Sequence, residues 1–570
     1  MQTLCLLAVL ACLVLCAAGT AQTTGQTTPP ATTAPTAFSV SMTIDAAQPI
    51  APWKPVHRFF GADEPNYAYM KDGRRLLAEL GELDRGNVYF RTHNLLSTGD
   101  ATPALKWGST NAYTEDKNGK PIYDWTVVDR IFDTYLKHGV RPYVQIGFMP
   151  EALSIKPTPY QHEWRPGLKY DVIGTGWAYP PNDWNKWQEL VYQWALHCVE
   201  RYGMEECEKW YWQTWNEPNG SSYWKGTPQE FHRLHDLAIH SVRRAIPKAR
   251  VGGADTIGLG GKFAENFFIH CLREKNYATG EIGTPLDFVS FHAKGNPKFV
   301  NGHVQMGISN QLKGINDAFA LFARYPELKD KPIVIGESDP DGCAACQGKH
   351  LDYRNGTLYS SYTAASFARK HLLADKHGVN LEGALTWAFE FEDQPYFAGQ
   401  RVLASNGIDL PVMNVFRCFS RMGGQRVRSE SSEQLPLDVM TSKGVRDRPD
   451  VGVMATHGTE GRTSAFLWHY HDDDVAGPDA EISINFTGLK TAAVTVERFR
   501  IDEDHSNAFG AWKKMGSPTP PNDKQYADLV KAGALQTTGR PSEANVTDGK
   551  LTLKTTLPRQ GVELIVLSPK

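Results

Sequence analysis

The chain has 570 residues, 41% of them hydrophobic, and a formal net charge of −3. That length exceeds one ordinary domain and supplies core for two folded units. A charge so near neutrality removes the electrostatic case for nucleic acid or an anionic membrane surface, and neither is expected as a partner.

Residues 4–19, LCLLAVLACLVLCAAG, are an apolar run too short for a bilayer span, followed by small residues through Ala21. Residues 1–21 therefore read as a signal peptide cut near Ala21/Gln22, and the mature chain is expected in the periplasm or outside the cell. Lipidation at Cys16 is the weaker alternative, because Leu15 stands where a small residue is needed. No later run has the length and apolarity of a membrane span. Residues 22–37, QTTGQTTPPATTAPTA, lack core formers and read as a Thr/Pro-rich linker.

Phe38 to Ile44 alternates like a strand, and 38–50 is assigned to a sheet outside the region that follows it. From 51 to 425 the chain alternates strand and helix. Strands are predicted at 56–63, 87–93, 141–148, 209–216, 249–255, 286–292, 332–337 and 381–387. Helices are predicted at 70–83, 124–138, 183–202, 228–246, 262–274, 308–324 and 359–377, with a last one near 411–422. Thr227-Pro228 is a cap followed by a favoured first helical residue, and Gly139 and Gly378 stop the helices before them. Eight strands separated by helices give an α/β fold, the closed (β/α)8 TIM barrel. Over 426–570 short alternating runs replace that pattern: 451–457, 464–471, 480–486, 492–502, 550–557 and 562–568. They predict an accessory antiparallel β-sandwich, joined by the N-terminal strand and interrupted by a helix at 523–533.

Active sites of such barrels lie at the C-terminal ends of the strands. The fourth strand runs into WYWQTWNEPN, 210–219, so Glu217 sits just past its end; Glu337 ends the seventh. A carboxylate pair across a barrel mouth suits hydrolysis of a glycosidic bond. One carboxylic acid protonates the leaving oxygen while the other carboxylate attacks the anomeric carbon, when the two are about 5–5.5 Å apart. The competing reading of Glu217 is a carboxylate in a core ion pair. Glu337 has rivals near strand ends in Asp339, Asp341, Glu390 and Glu392, but alone ends an apolar strand directly.

These features resemble the retaining glycosidase clan with its acid/base after strand four and nucleophile after strand seven. Within it the chain resembles glycoside hydrolase family 39, the β-xylosidase family. The motifs are FRTH (90–93), GFMPEAL (147–153), TWNEPN (214–219), DFVSFH (287–292), TWAFEFED (386–393) and, in the accessory region, RIDEDHSNAFGAWKKMGSPTPP (500–521). The resemblance implies Glu217 as acid/base and Glu337 as nucleophile. It also implies sugar contacts from His93, Asn216, His292 and Trp387, although both histidines are open to a structural reading and Trp387 to one of barrel packing. Arg91 is expected to orient a catalytic carboxylate.

Two segments depart from the family. GESDPDGCAAC follows the nucleophile in place of a TEFN-type stretch, and strand six ends in His292-Ala293-Lys294 where the family carries His-x-Tyr. A lysine there is read three ways: lowering the nucleophile's pKa, binding an acidic or different sugar, or facing solvent. The expected activity is a retaining exo-β-xylosidase acting on xylo-oligosaccharide ends. The alternatives are an α-L-arabinosidase-type or uronidase-type enzyme and, in a different class, a non-catalytic carbohydrate-binding protein. No metal or organic cofactor is expected, and oligomeric state is left open. Past the signal, Cys198, Cys207, Cys271, Cys343, Cys346 and Cys418 remain, and Cys343-Ala-Ala-Cys346 reads as a local disulfide or free thiols. Asn219, Asn355, Asn485 and Asn545 open glycosylation sequons, with none expected to be used at Asn219 beside the site.

Overall fold

The computed structural model describes residues 36–164 and 174–570; the signal-peptide reading and all but the last two residues of the linker fall outside them. Eight parallel strands form the barrel in chain order: Phe59–Ala62, Val88–Thr92, Val140–Ile146, Tyr211–Thr214, Arg250–Ile257, Phe288–His292, Ile333–Glu337 and Leu381–Ala384. It closes where Gly61 N donates to Thr386 O and Thr386 N to Phe59 O.

The period-two alternation of strand four separates its aromatics. Tyr211 points into the barrel, its ring 4.8–5.2 Å from those of Tyr89, Tyr143 and Phe288. Trp210 and Trp212 point the other way and pack against Phe132 and Trp194 of the surrounding helices. The helices begin where their caps dictate. Asp183 accepts from the amides of Asn185 and Lys186 at the start of Trp184–Tyr202, and Thr227 and Glu230 form a capping box at the start of Pro228–Ala245.

The accessory unit is a ten-stranded sheet. Arg500, on Ala493–Ile501, donates to Thr555 Oγ1 and Thr556 O on Leu551–Leu557, which lies at the other end of the strand order, so the sheet curls on itself. It encloses a separate core that includes Met42, Ile44, Val453, Leu467, Ile484 and Ile565. One expectation is corrected: the sheet is mixed, not wholly antiparallel. The N-terminal strand, Phe38–Pro52, runs parallel to Ala480–Thr487 in register from Phe38↔Ala480 to Asp45↔Thr487. Partners so distant in sequence are not joined by a hairpin, and nothing forces them antiparallel. Its other edge pairs with Gln425–Ser431, a strand absent from the sequence reading.

The two units share buried polar contacts. Arg369, wholly buried on barrel helix Thr357–His377, donates to Asp450 Oδ1 of the sheet at 2.7 Å and lies over the Trp468 ring. Ser361 of the same helix donates to Gln560 at 2.6 Å.

Candidate active site

Strand four ends at Thr214, and the chain then turns through left-handed backbone at Trp215 (φ 69°) and Glu217 (φ 45°). Glu217 N donates to the carbonyl of Asp255, at the end of strand five, at 2.9 Å. The carboxylate is thereby fixed at the barrel mouth, where His292 Nδ1 donates to its Oε1 at 2.9 Å. An oxygen of Glu217 and one of Glu337 lie within 4.8 Å of each other. That separation falls with nucleophile–acid pairs and below the roughly 6.5–9.5 Å that inverting enzymes need for an intervening water.

Glu337 is 3% exposed and ringed by cations. Lys294 Nζ makes a close ion pair with its Oε2. Arg91 and His292 Nδ1 each stand 3.7 Å from Oε1, and His93 Nε2 stands 3.9 Å away. Burial pushes the carboxyl up, but Lys294, His292, His93 and Arg91 together outweigh it and hold Glu337 at about 2. Of the three readings of Lys294, the structure places it against Glu337, and Nζ also approaches Glu217 to 3.8 Å.

His292 lies between three carboxylates. Burial pushes its imidazole down, and Glu337, Asp255 and Glu217 overcome that and raise it to about 9, so it is a cation at neutral pH. Its Nε2 faces Asp255 at 3.4 Å. Asp255, fully buried, also lies 3.5 Å from Arg91 and so ties the two cations together. The backbone makes room for it at Gly336, where a β-carbon would come within 1.8 Å of Asp255 Oδ1.

Arg91 is the hub of the floor. It donates to Gln213 Oε1 at 3.2 Å and to Asn216 Oδ1 at 2.9 Å, and packs over the Trp387 ring. The Asn216 side-chain carbonyl is therefore engaged by the protein. His93 Nδ1 stands 2.9 Å from Asp63 Oδ1, and the His93 ring centroid is 4.4 Å from that of Trp387. Burial pushes the His93 imidazole below the ordinary histidine range, against the opposing pull of Asp63 and Glu337. Trp387 is only 2% exposed, and a β-carbon at Gly61 would overlap its ring.

The rival carboxylates have structural partners. Asp341 is held by Arg354 and Arg401, Asp339 faces Arg401 and accepts from Trp387 N, Glu390 accepts from Gly407 N, and Glu392 accepts the first amides of helix Lys71–Leu83. The departing loop after strand seven is stapled by a Cys343–Cys346 disulfide, and its carbonyls of Cys343 and Cys346 accept from Arg354. Among the described residues the other four cysteines, Cys198, Cys207, Cys271 and Cys418, are free and buried.

Sequence reasoning missed Asp63, Asp255 and Lys106. Asp63 and Asp255 close strands one and five, the same signal that selected Glu217 and Glu337. Lys106 comes from the long insertion after strand two and stands 3.5 Å from Asp63. Phe148, Trp177 and Tyr223 add an aromatic wall, with Phe148 and Trp177 centroids 4.5 Å apart.

Comparison with known proteins follows this geometry. A family model described as Glycosyl hydrolases family 39 matches residues 40–549. A beta-xylosidase of Geobacillus stearothermophilus is 26% identical over 499 residues, covering 84% of this chain and 86% of the relative. An alpha-L-iduronidase of Mus musculus is 25% identical over 573 residues, covering 92% of this chain and 80% of the relative. Among solved structures, a monomeric beta-xylosidase from Caulobacter crescentus CB15 has a TM-score of 0.72 at 19% identity, covering 93% of this chain and 99% of its own, which speaks to the fold.

Proposed function

This chain belongs to glycosyl hydrolases family 39, and we propose that within it the protein is an exported exo-acting β-xylosidase, releasing xylose from the non-reducing ends of xylo-oligosaccharides. The observation that carries the reaction is the pair Glu217 and Glu337, with oxygens within 4.8 Å. The ionised Glu337 attacks the anomeric carbon as Glu217 gives its proton to the leaving oxygen, and the C–O bond breaks. Glu217, now a base, takes a proton from water, which attacks the glycosyl-enzyme and frees Glu337. Arg91 and His292 hold both carboxylates in register, and Asn216 and His93 face the bound sugar. The xyloside reading is supported by the coverage of the beta-xylosidase relatives.

A second reading, a uronide-cleaving enzyme, is favoured by Lys294. A neutral pentose has no group that requires a half-buried ammonium at the catalytic pair, whereas a sugar carboxylate does. The iduronidase relatives support the same reading. A panel of nitrophenyl glycosides decides: turnover of the β-xyloside with none of the uronides upholds the first reading, and the converse overturns it. Export is tested by N-terminal sequencing of the mature protein, expected to begin at Gln22.

A further inference from the structure

Away from the catalytic carboxylates, two helices of the outer layer carry matched pairs of histidine and acid at i,i+4. His232 and Asp236 lie on Pro228–Ala245; His270 lies on Phe263–Arg273, and Glu274 caps it. Residues four apart share a helix face, and here the two faces meet. One nitrogen of each histidine and one oxygen of Glu274 all lie within 4.8 Å of one another.

Their hydrogen bonds are unequal. His270 is 1% exposed, with Nε2 on Asp236 Oδ2 at 3.0 Å and Nδ1 on Glu274 Oε2 at 3.0 Å. Asp236 is itself fixed, accepting from Tyr277 N at 2.7 Å and Thr284 Oγ1 at 2.5 Å. His232 is 7% exposed and stacks on His270 with centroids 4.4 Å apart, yet it makes no hydrogen bond among the described residues. Neither ring nitrogen of His232 has a protein partner among those residues, so both are available to ligate.

We propose that His232, His270 and Glu274 bind a divalent transition metal, with zinc the ion their chemistry fits. Two imidazoles and one carboxylate suit zinc and its neighbours rather than calcium or magnesium, which prefer all-oxygen shells. Bonds of about 2.0–2.1 Å in a tetrahedron put ligand atoms about 3.3 Å apart. The 3.0 Å between His270 Nδ1 and Glu274 is already of that order. The ion takes the place of the Nδ1 proton of His270 and gives His232 the partner it lacks; water completes the shell. Asp236, on the far nitrogen of His270, fixes the ring as a carboxylate behind a metal-bound histidine does. The Glu274 side chain is 57% exposed, which leaves the site open to entry from solvent.

The test uses the full mature chain, stripped with a chelator, dialysed and titrated with zinc chloride by calorimetry, with metal content and melting temperature measured in parallel. One zinc per chain and a raised melting temperature are expected. Affinity should fall at least 10-fold in Glu274→Gln and in His232→Gln, with glycoside turnover unchanged in both. Less than one equivalent, or one equivalent that both variants retain, overturns the proposal. So does zinc that inhibits turnover and survives both substitutions, which would place it on the catalytic carboxylates. Glu274 is exposed, so its variant decides the matter even if His232→Gln does not fold.

Discussion

Replacing Lys294 by Met removes the charge in closest contact with Glu337 while keeping a side chain of similar length. In the native site Glu337 is held at about 2, against an ordinary 4.5. Glu337 is thus ionised at any pH above about 2, and its contribution to turnover is lost only as pH falls through that value. A unit charge about 4 Å away at an effective dielectric of 20 is worth about 4 kcal/mol. At 1.36 kcal/mol per pH unit this is about three units, an upper bound. Arg91, His292 and His93 remain and water enters the space, so a rise of ~1–2 units is expected. The pH dependence of kcat/KM reports the free enzyme, and its acidic limb should move up by that amount in Lys294→Met. Circular dichroism at each pH separates titration from acid unfolding. An acidic limb that does not move would refute the electrostatic assignment of Lys294.

Four further outcomes follow from the same geometry. Glu337→Gln should lose several orders of magnitude in kcat on every substrate. Glu217→Gln should cost ~10²–10⁴ on alkyl glycosides, in line with a general acid, and much less in glycosylation of the enzyme by a nitrophenyl substrate, whose leaving group needs no proton; equal losses on both would remove Glu217 as the acid. Asp255→Asn takes a buried carboxylate from between two cations. It should lower the His292 value of about 9, read by NMR titration, and cost ~3–5 kcal/mol in urea unfolding. Gly336→Ala forces a methyl into Asp255, so a loss of ~1–3 kcal/mol and at least a 10-fold drop in kcat are expected; native stability and activity would show that the close approach is not needed.

The barrel was legible because its strands are apolar runs between capped amphipathic helices, and all eight were located to within three residues at either end. Gln425–Ser431 escaped for the opposite reason. QRVRSES has one apolar residue, Val427, which enters the accessory core, so no hydrophobic alternation announces it. The helix Ala508–Lys514 is only seven residues long and sits in a segment that reads as polar loop. At the site, strand position selected the two glutamates. It selected Asp63 and Asp255 equally well, but their roles lie in which cations they meet, and strands five, six and two converge on those cations only in three dimensions.

Lys294 links reaction and specificity more closely than either catalytic carboxylate does alone. It touches Glu337 directly and stands 3.8 Å from Glu217, so any anionic group brought to the anomeric centre competes with the nucleophile for it. A neutral xyloside leaves the ammonium on Glu337, and the nucleophile stays as deeply ionised in the complex as in the free enzyme. A uronide carboxylate draws the ammonium away, and Glu337 then depends on Arg91, His292 and His93 to stay ionised. Those three, at 3.7–3.9 Å, remain in place whichever sugar binds. The floor of the site is therefore built to keep Glu337 charged with or without Lys294.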